Sequence, residues 1–191
     1  MKRLKTLKIH YLIGDATNPN HKPCVIPHTV NDVGLWGSGF VLAVSKKNKD
    51  PEKAYKEWYR EGRGSSVPFE LGAIQIIPFD KDMYIANMIA QHDVRFINGV
   101  PPVRYDALEK CLESVYNYAK NNKLCVCCPR ICAVRSGGDW STIESILQKM
   151  IDKYQINTYV YTLATEKDQW SGTVYENDSI EEEISLSDLF N

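Results

Sequence analysis

The sequence predicts an α/β fold in which helices pack on both faces of a largely parallel sheet. Three observations lead to it. Short β-branched and aromatic runs alternate with amphipathic helical stretches along most of the chain. The polar, glycine-bearing segments fall directly after predicted strands, where open α/β sheets bind ligands. The chain has 191 residues, 43% of them hydrophobic and 25% charged, which suits one soluble domain able to bury a core without covalent staples.

Six strands are predicted, near Leu7 to Ile13, Cys24 to Pro27, Leu71 to Ile77, Met83 to Ile89, Leu124 to Cys128 and Ile156 to Leu163. Pro27 and Pro78 are read as strand ends. An apolar helix follows the glycines before Phe40. The next starts at Asp50-Pro51, with Asp50 as its N-cap and Tyr55, Trp58 and Tyr59 as its apolar face, and stops near Gly62. A longer helix follows Pro101-Pro102, because Leu108, Leu112, Val115 and Ala119 recur at helical spacing. A fourth opens at Ser141, where Ser141 and Glu144 have the spacing of a capping box before Ile143, Ile146, Leu147, Met150 and Ile151. Residues 1–165 are thus predicted to form the domain. Residues 166–191, acidic and without Lys or Arg after Lys167, are predicted to be a tail whose Leu189 and Phe190 suit docking to a protein partner.

Composition also excludes several functions. No apolar run is long enough to cross a membrane, and the basic first residues lack the continuous apolar core of a secretion signal, so a cytoplasmic location is expected. A net charge of -1 supplies no broad positive field for nucleic acid. Four of the six cysteines crowd into Cys125, Cys127, Cys128 and Cys132, and strand alternation puts Cys125 and Cys127 on one face and Cys128 on the other. No second cluster completes a zinc site, so reduced core thiols and no metal or cofactor are expected.

Three segments carry candidate chemistry. Gly14-Asp15 is a turn whose carboxylate can accept from an exocyclic amine. His28 to Gly39, HTVNDVGLWGSG, joins a polar strand end to a glycine-rich turn before a helix, an arrangement whose backbone N–H groups and helix N-terminus suit a pyrophosphate. Pro129 to Trp140, PRICAVRSGGDW, offers a second such turn at Gly137-Gly138, with Asp139 either a helix cap or a site residue.

In this order and spacing, Gly14-Asp15, then His28, Asn31, Gly34, Trp36, Gly37, Ser38 and Gly39, then Pro129-Arg130-Ile131 with Gly137, Gly138 and Trp140, resemble the macrodomain family over about residues 7–163. The likeness is to the branch of ADP-ribose-1''-phosphate phosphatases and terminal ADP-ribose glycohydrolases. It implies a three-layer α/β/α sandwich with a mixed, largely parallel sheet and a cleft for ADP-ribose. Asp15 would meet adenine, the two loops the pyrophosphate, and Asn31 the distal ribose. The resemblance implies as partner ADP-ribose or a substrate carrying it, nucleic acid only if so modified. Cys132 and Val134 stand where the family's second loop has glycines, which predicts crowding at the pyrophosphate. Gln91 and His92 stand in the region of the glycohydrolases' lysine, and a glutamine cannot form their Schiff base. Asp139 matches their aspartate. His28 suits proton transfer to a terminal phosphate, with Asp32 and His92 as lesser candidates. Two functions follow: a hydrolase at the distal ribose using His28 and Asp139, or a non-catalytic ADP-ribose reader.

Overall fold

A computed structural model of the chain describes residues 7–133 and 135–177. All six expected strands form: β1 Ile9–Ile13, β2 Cys24–Asn31, β3 Ile74–Asp80, β4 Met83–Gln91, β5 Cys125–Pro129 and β6 Thr158–Thr162. They make one sheet in the order β1-β6-β5-β2-β4-β3. Every pairing is parallel except that of β3 with β4, so the sheet is mixed.

Strand alternation sends side chains to two separate cores. On one face Val25, Val126, Cys128 and Val160 meet the apolar stripes of α3 (Tyr105–Asn122) and α4 (Trp140–Tyr154). On the other, Cys24, Ile26, Ile85 and Cys127 meet α1 (Phe40–Lys47) and α2 (Asp50–Glu61) through Val41, Val44, Tyr55 and Trp58. The result is the expected three-layer sandwich. Leu108, Leu112, Val115 and Ala119 of α3 are all buried, as their spacing requires.

The ends of elements differ from expectation for local reasons. β2 runs past Pro27 to Asn31. It pairs with β5 only at Cys24 and Val25, so Pro27, with no N–H to donate, lies in the stretch β5 has left. Pro78 lies within β3, an edge strand with its proline exposed. The Asn48 side chain, not that of Asp50, accepts from the N–H of Asp50 at the start of α2. Tyr59 turns outward from α2 instead of joining its buried face. The capping box at Ser141 does not form: Asp139 caps α4, and Glu144 accepts from the Tyr11 hydroxyl.

The acidic segment is not wholly a tail. A 3₁₀ turn over Ala164–Trp170 and the residues to Glu176 lie against the sheet. There the N–H of Glu176 donates to the carbonyl of Tyr11, its carboxylate is 2.8 Å from His10 Nδ1, and Trp170 stacks edge-on with Trp140. Leu189 and Phe190 lie outside the described residues.

Candidate functional site

A cleft of about 910 Å³ opens at the C-terminal ends of the strands. Its origin is the parting of β2 and β5 after Val25 and Val126, which leaves a crevice where the strand connections diverge. Its walls are the turn after β1, the end of β2 with residues 34–39, Gln91 at the end of β4, residues 129–133 with Arg135 and Ser136 after β5, and parts of the segment from Leu163 to Trp170.

At one end Asp15 is oriented by Thr17, whose N–H and hydroxyl both donate to Oδ1, at 2.8 and 2.9 Å. Tyr161 lies beneath Gly14 and lines the same end.

In the first loop, Asn31 does not hold its amide out toward a ligand. Its Oδ1 accepts from the N–H groups of Val33 and Leu35 and from the Tyr55 hydroxyl, while Nδ2 donates to the Leu35 carbonyl at 2.6 Å. Asn31 therefore shapes the loop from within, and its side chain has little bonding capacity left for a ribose. Gly34 takes φ +74, and a Cβ there would fall 2.3 Å from the Tyr59 ring, which explains both the glycine and the outward tyrosine. Trp36 donates to Ser45 at 2.8 Å. Gly37, Ser38 and Gly39 then lead into α1, whose N-terminus borders the cleft with no side-chain cap; the N–H of Leu42 donates to the Gly39 carbonyl at 3.1 Å, which leaves the N–H groups of Phe40 and Val41 at its mouth.

His28 lines the cleft but is only 1% exposed. Its Nε2 is 2.6 Å from the Asn87 side-chain oxygen, so the ring donates there, and Trp36 and Phe40 pack on it at 5.5 and 5.7 Å. Burial pulls its pKa down to about 4, so the imidazole is neutral at physiological pH.

The second loop departs most from expectation. Asp139, Gly137 and Gly138 do not line the cleft. The Asp139 carboxylate accepts from the N–H and hydroxyl of Thr142 and the hydroxyl of Ser141, bonds that lower its pKa and hold it at the helix start. Gly138 is there for packing: a Cβ would come within 2.7 Å of the Cys132 carbonyl, to which its own N–H donates at 2.9 Å. Cys132 keeps a left-handed backbone, φ 59, the conformation a glycine takes without strain. Its thiol donates to the Thr29 hydroxyl at 3.4 Å while the residue lines the cleft. Val134 lies outside the described residues.

Ser136 of this loop reaches β4. Gln91 Nε2 donates to Ser136 Oγ at 2.5 Å and to Thr29 Oγ1 at 2.8 Å, an uncharged cluster on the cleft floor. Asp32 and His92 pair with each other at 2.7 Å just outside the cleft lining.

Among the described lining residues that sequence reasoning missed, Thr29, Ser136, Arg135 and Trp170 matter most to the site. Thr29 and Ser136 gave no signal before pairing. Arg135 reaches across the cleft, its Cδ within 3.3 Å of where a Cβ on Gly39 would stand. Trp170 sits in the supposed tail and stacks on Arg130 at 4.2 Å, with Tyr11 and Trp140 each at 4.9 Å on the same guanidinium.

No family model matches the chain. A solved structure of a protein of unknown function from Bacteroides thetaiotaomicron is 41% identical, covers 83% of this chain and 100% of its own, and superposes with a TM-score of 0.78. A macrodomain protein from Streptomyces coelicolor is 39% identical over 81% of this chain and 99% of its own, with a TM-score of 0.71. Thermosipho africanus DarTG, solved in complex with ADP-ribose, shares the fold at 13% identity, covering 83% of this chain and 42% of its own with a TM-score of 0.65. The mouse chromodomain-helicase-DNA-binding protein 1-like is 31% identical over 83% of this chain, which spans only 18% of that protein's length. Coverage of 81% of this chain and 99% of the Streptomyces protein at 39% identity means that the chain belongs to the macrodomain family.

Proposed function

We propose that the cleft binds ADP-ribose and that the chain acts as a reader of ADP-ribosyl groups, without hydrolysing them. The observation that carries the binding is the pair of facing anion sites: the uncapped N-terminus of α1 behind Gly37-Ser38-Gly39, and Arg135 reaching over from the second loop. A pyrophosphate lying between them would leave one nucleoside end at Asp15, whose carboxylate suits an exocyclic amine, and the other near Gly34. The volume suits a ligand of this size. The ADP-ribose held by the Thermosipho fold neighbour supports the same choice.

Three features favour reading over turnover. His28 is buried, neutral and committed through Nε2 to Asn87, so it is a poor proton carrier for a solvent-exposed phosphate. Asp139 is spent on capping α4 and stands outside the cleft lining. Where the second loop meets the end of β4, Gln91 and Ser136 bond each other, neither able to form a Schiff base nor to serve as a carboxylate base.

Calorimetric titration with ADP-ribose, AMP and ADP tests the binding. One saturable site preferring ADP-ribose by at least tenfold, about 1.4 kcal/mol, is expected. Equal affinity for ADP would mean that the distal ribose is not read. Incubation with ADP-ribose-1''-phosphate and an ADP-ribosyl ester is expected to release no product. Turnover that disappears in His28→Gln would instead make the chain a hydrolase.

A further inference from the structure

We infer that the loop from Val94 to Val100, between β4 and α3, is a docking surface for the polypeptide that carries the ADP-ribosyl group, and that it reads apolar side chains beside the modified residue. The inference rests on the reading of the cleft as an ADP-ribosyl site and names the class of molecule bonded to that group. Among the described residues ten large apolar side chains are exposed, and four of them, Val94, Phe96, Ile97 and Val100, fall in this one short loop. Phe96 is 60% exposed and Val100 51%. Apolar side chains gathered at one place on a surface mark a site of contact, whereas single ones do not.

The loop is ordered before any partner arrives. Ile97 and Val100 exchange two backbone hydrogen bonds, at 3.0 and 2.9 Å, across Asn98 and Gly99, whose φ values of 51 and 77 make the tight turn of a two-residue hairpin. The hairpin is tied to both cleft loops. On one side the N–H of Asp93 donates to Asp32 Oδ1 at 2.9 Å, and His92 Nδ1 is 2.7 Å from Asp32 Oδ2. On the other the Phe96 ring lies beside Gly137, where a Cβ would fall 2.7 Å from it. A surface fixed in this way loses little entropy when it is covered.

Its position and its charge decide what covers it. Val94 lines the cleft, and so does Leu35, exposed on the first loop one residue beyond Gly34. Gly34 stands at the end assigned to the distal ribose, so a molecule bonded to that ribose leaves the cleft beside these two side chains and meets the hairpin. Arg95 faces Asp93 at 3.8 Å and His92 is paired with Asp32, so each charge of the hairpin already has an opposite partner. A phosphate backbone would need unpaired cations there. A polypeptide with aliphatic or aromatic side chains next to its modified residue needs none, and burying them against the hairpin is favourable.

Titration of the full chain with four probes tests this. They are free ADP-ribose, two short peptides with ADP-ribose joined to a serine through the distal ribose, and a single-stranded oligonucleotide bearing the same group. One peptide has leucines on either side of the serine and the other has glycines. The leucine peptide is expected to bind about five- to tenfold more tightly than free ADP-ribose or the glycine peptide, which should be alike. Phe96→Ser and, separately, Ile97→Ser are expected to abolish that advantage and to leave affinity for free ADP-ribose unchanged. Equal binding of the two peptides would overturn the inference and leave the ligand of the cleft in place, and so would tightest binding of the oligonucleotide. A concentration-dependent dimer that Phe96→Ser dissociates would also overturn it, because a second copy would then cover the hairpin. Failure to bind free ADP-ribose would remove the reading of the cleft and this inference with it. The two peptides on the wild-type chain decide the matter even if a variant fails to fold.

Discussion

At the scale of single residues, burial decides what His28 does. Its folded-state pKa of about 4 lies below the ordinary 6.5. Above about pH 6.5 neither state carries the proton and His28 adds no pH dependence. As pH falls below that, the unfolded chain takes up a proton that the folded chain refuses until about pH 4, so stability falls by up to about 3 kcal/mol across that window. Urea unfolding measured from neutral pH down to about pH 4 should show this slope, and His28→Gln should flatten it. Arg135 has the opposite setting, an exposed cation between two loops. Arg135→Ala is expected to weaken ADP-ribose binding by about three- to tenfold with no change in melting temperature, the loss shrinking as salt is raised. Isothermal titration at two ionic strengths checks it. His28 could be named from the sequence, but its burial depends on Trp36, Phe40 and Asn87, which lie up to 59 positions away.

At the scale of elements, the amphipathic stripes of α2, α3 and α4 and the six apolar runs of the sheet were all legible, because periodicity is a property of neighbouring residues. Their ends were less so. Pro27 reads as a strand end by its chemistry and lies inside β2 only because β5 has diverged. The capping of α4 by Asp139 was one of two readings that the sequence left open, and the hydrogen bonds to Thr142 decide it. Asp139→Ala should therefore lower the melting temperature by roughly 2–4 °C and leave ligand affinity unchanged. A lost or weakened site in that variant would restore its place in the cleft. Gly34 belongs to the loop as a unit. Gly34→Ala meets both a left-handed backbone, φ +74, and the Tyr59 ring. It is expected to cost about 2 kcal/mol of stability and to weaken ADP-ribose binding several-fold, read by thermal unfolding and titration.

At the scale of the whole molecule, the domain closes later than the change in composition suggests. Trp170 stacks on Arg130, Thr173 accepts from Arg130 at 2.7 Å, and Glu176 bonds the Tyr11 backbone. A chain ending at Asn177 should be about 3 kcal/mol more stable than one ending at Leu163, measured by denaturant unfolding, because the shorter chain uncovers an aromatic-lined guanidinium. Composition does not show this attachment, because a few side chains such as Trp170, Thr173 and Glu176 make it. The sequence by itself determined the fold class, the number of strands and their places along the chain, the three segments that border the cleft and, through their resemblance, the family. All of these follow from local pattern and from chain order. Only the tertiary structure decided which side chains stand in the cleft. It buried His28, turned Asn31 into its own loop, took Asp139 away to a helix cap and joined Gln91 to Ser136, 45 positions apart. Those outcomes depend on distance through space and on competition for hydrogen bonds, and neither is set by the spacing of residues along the chain.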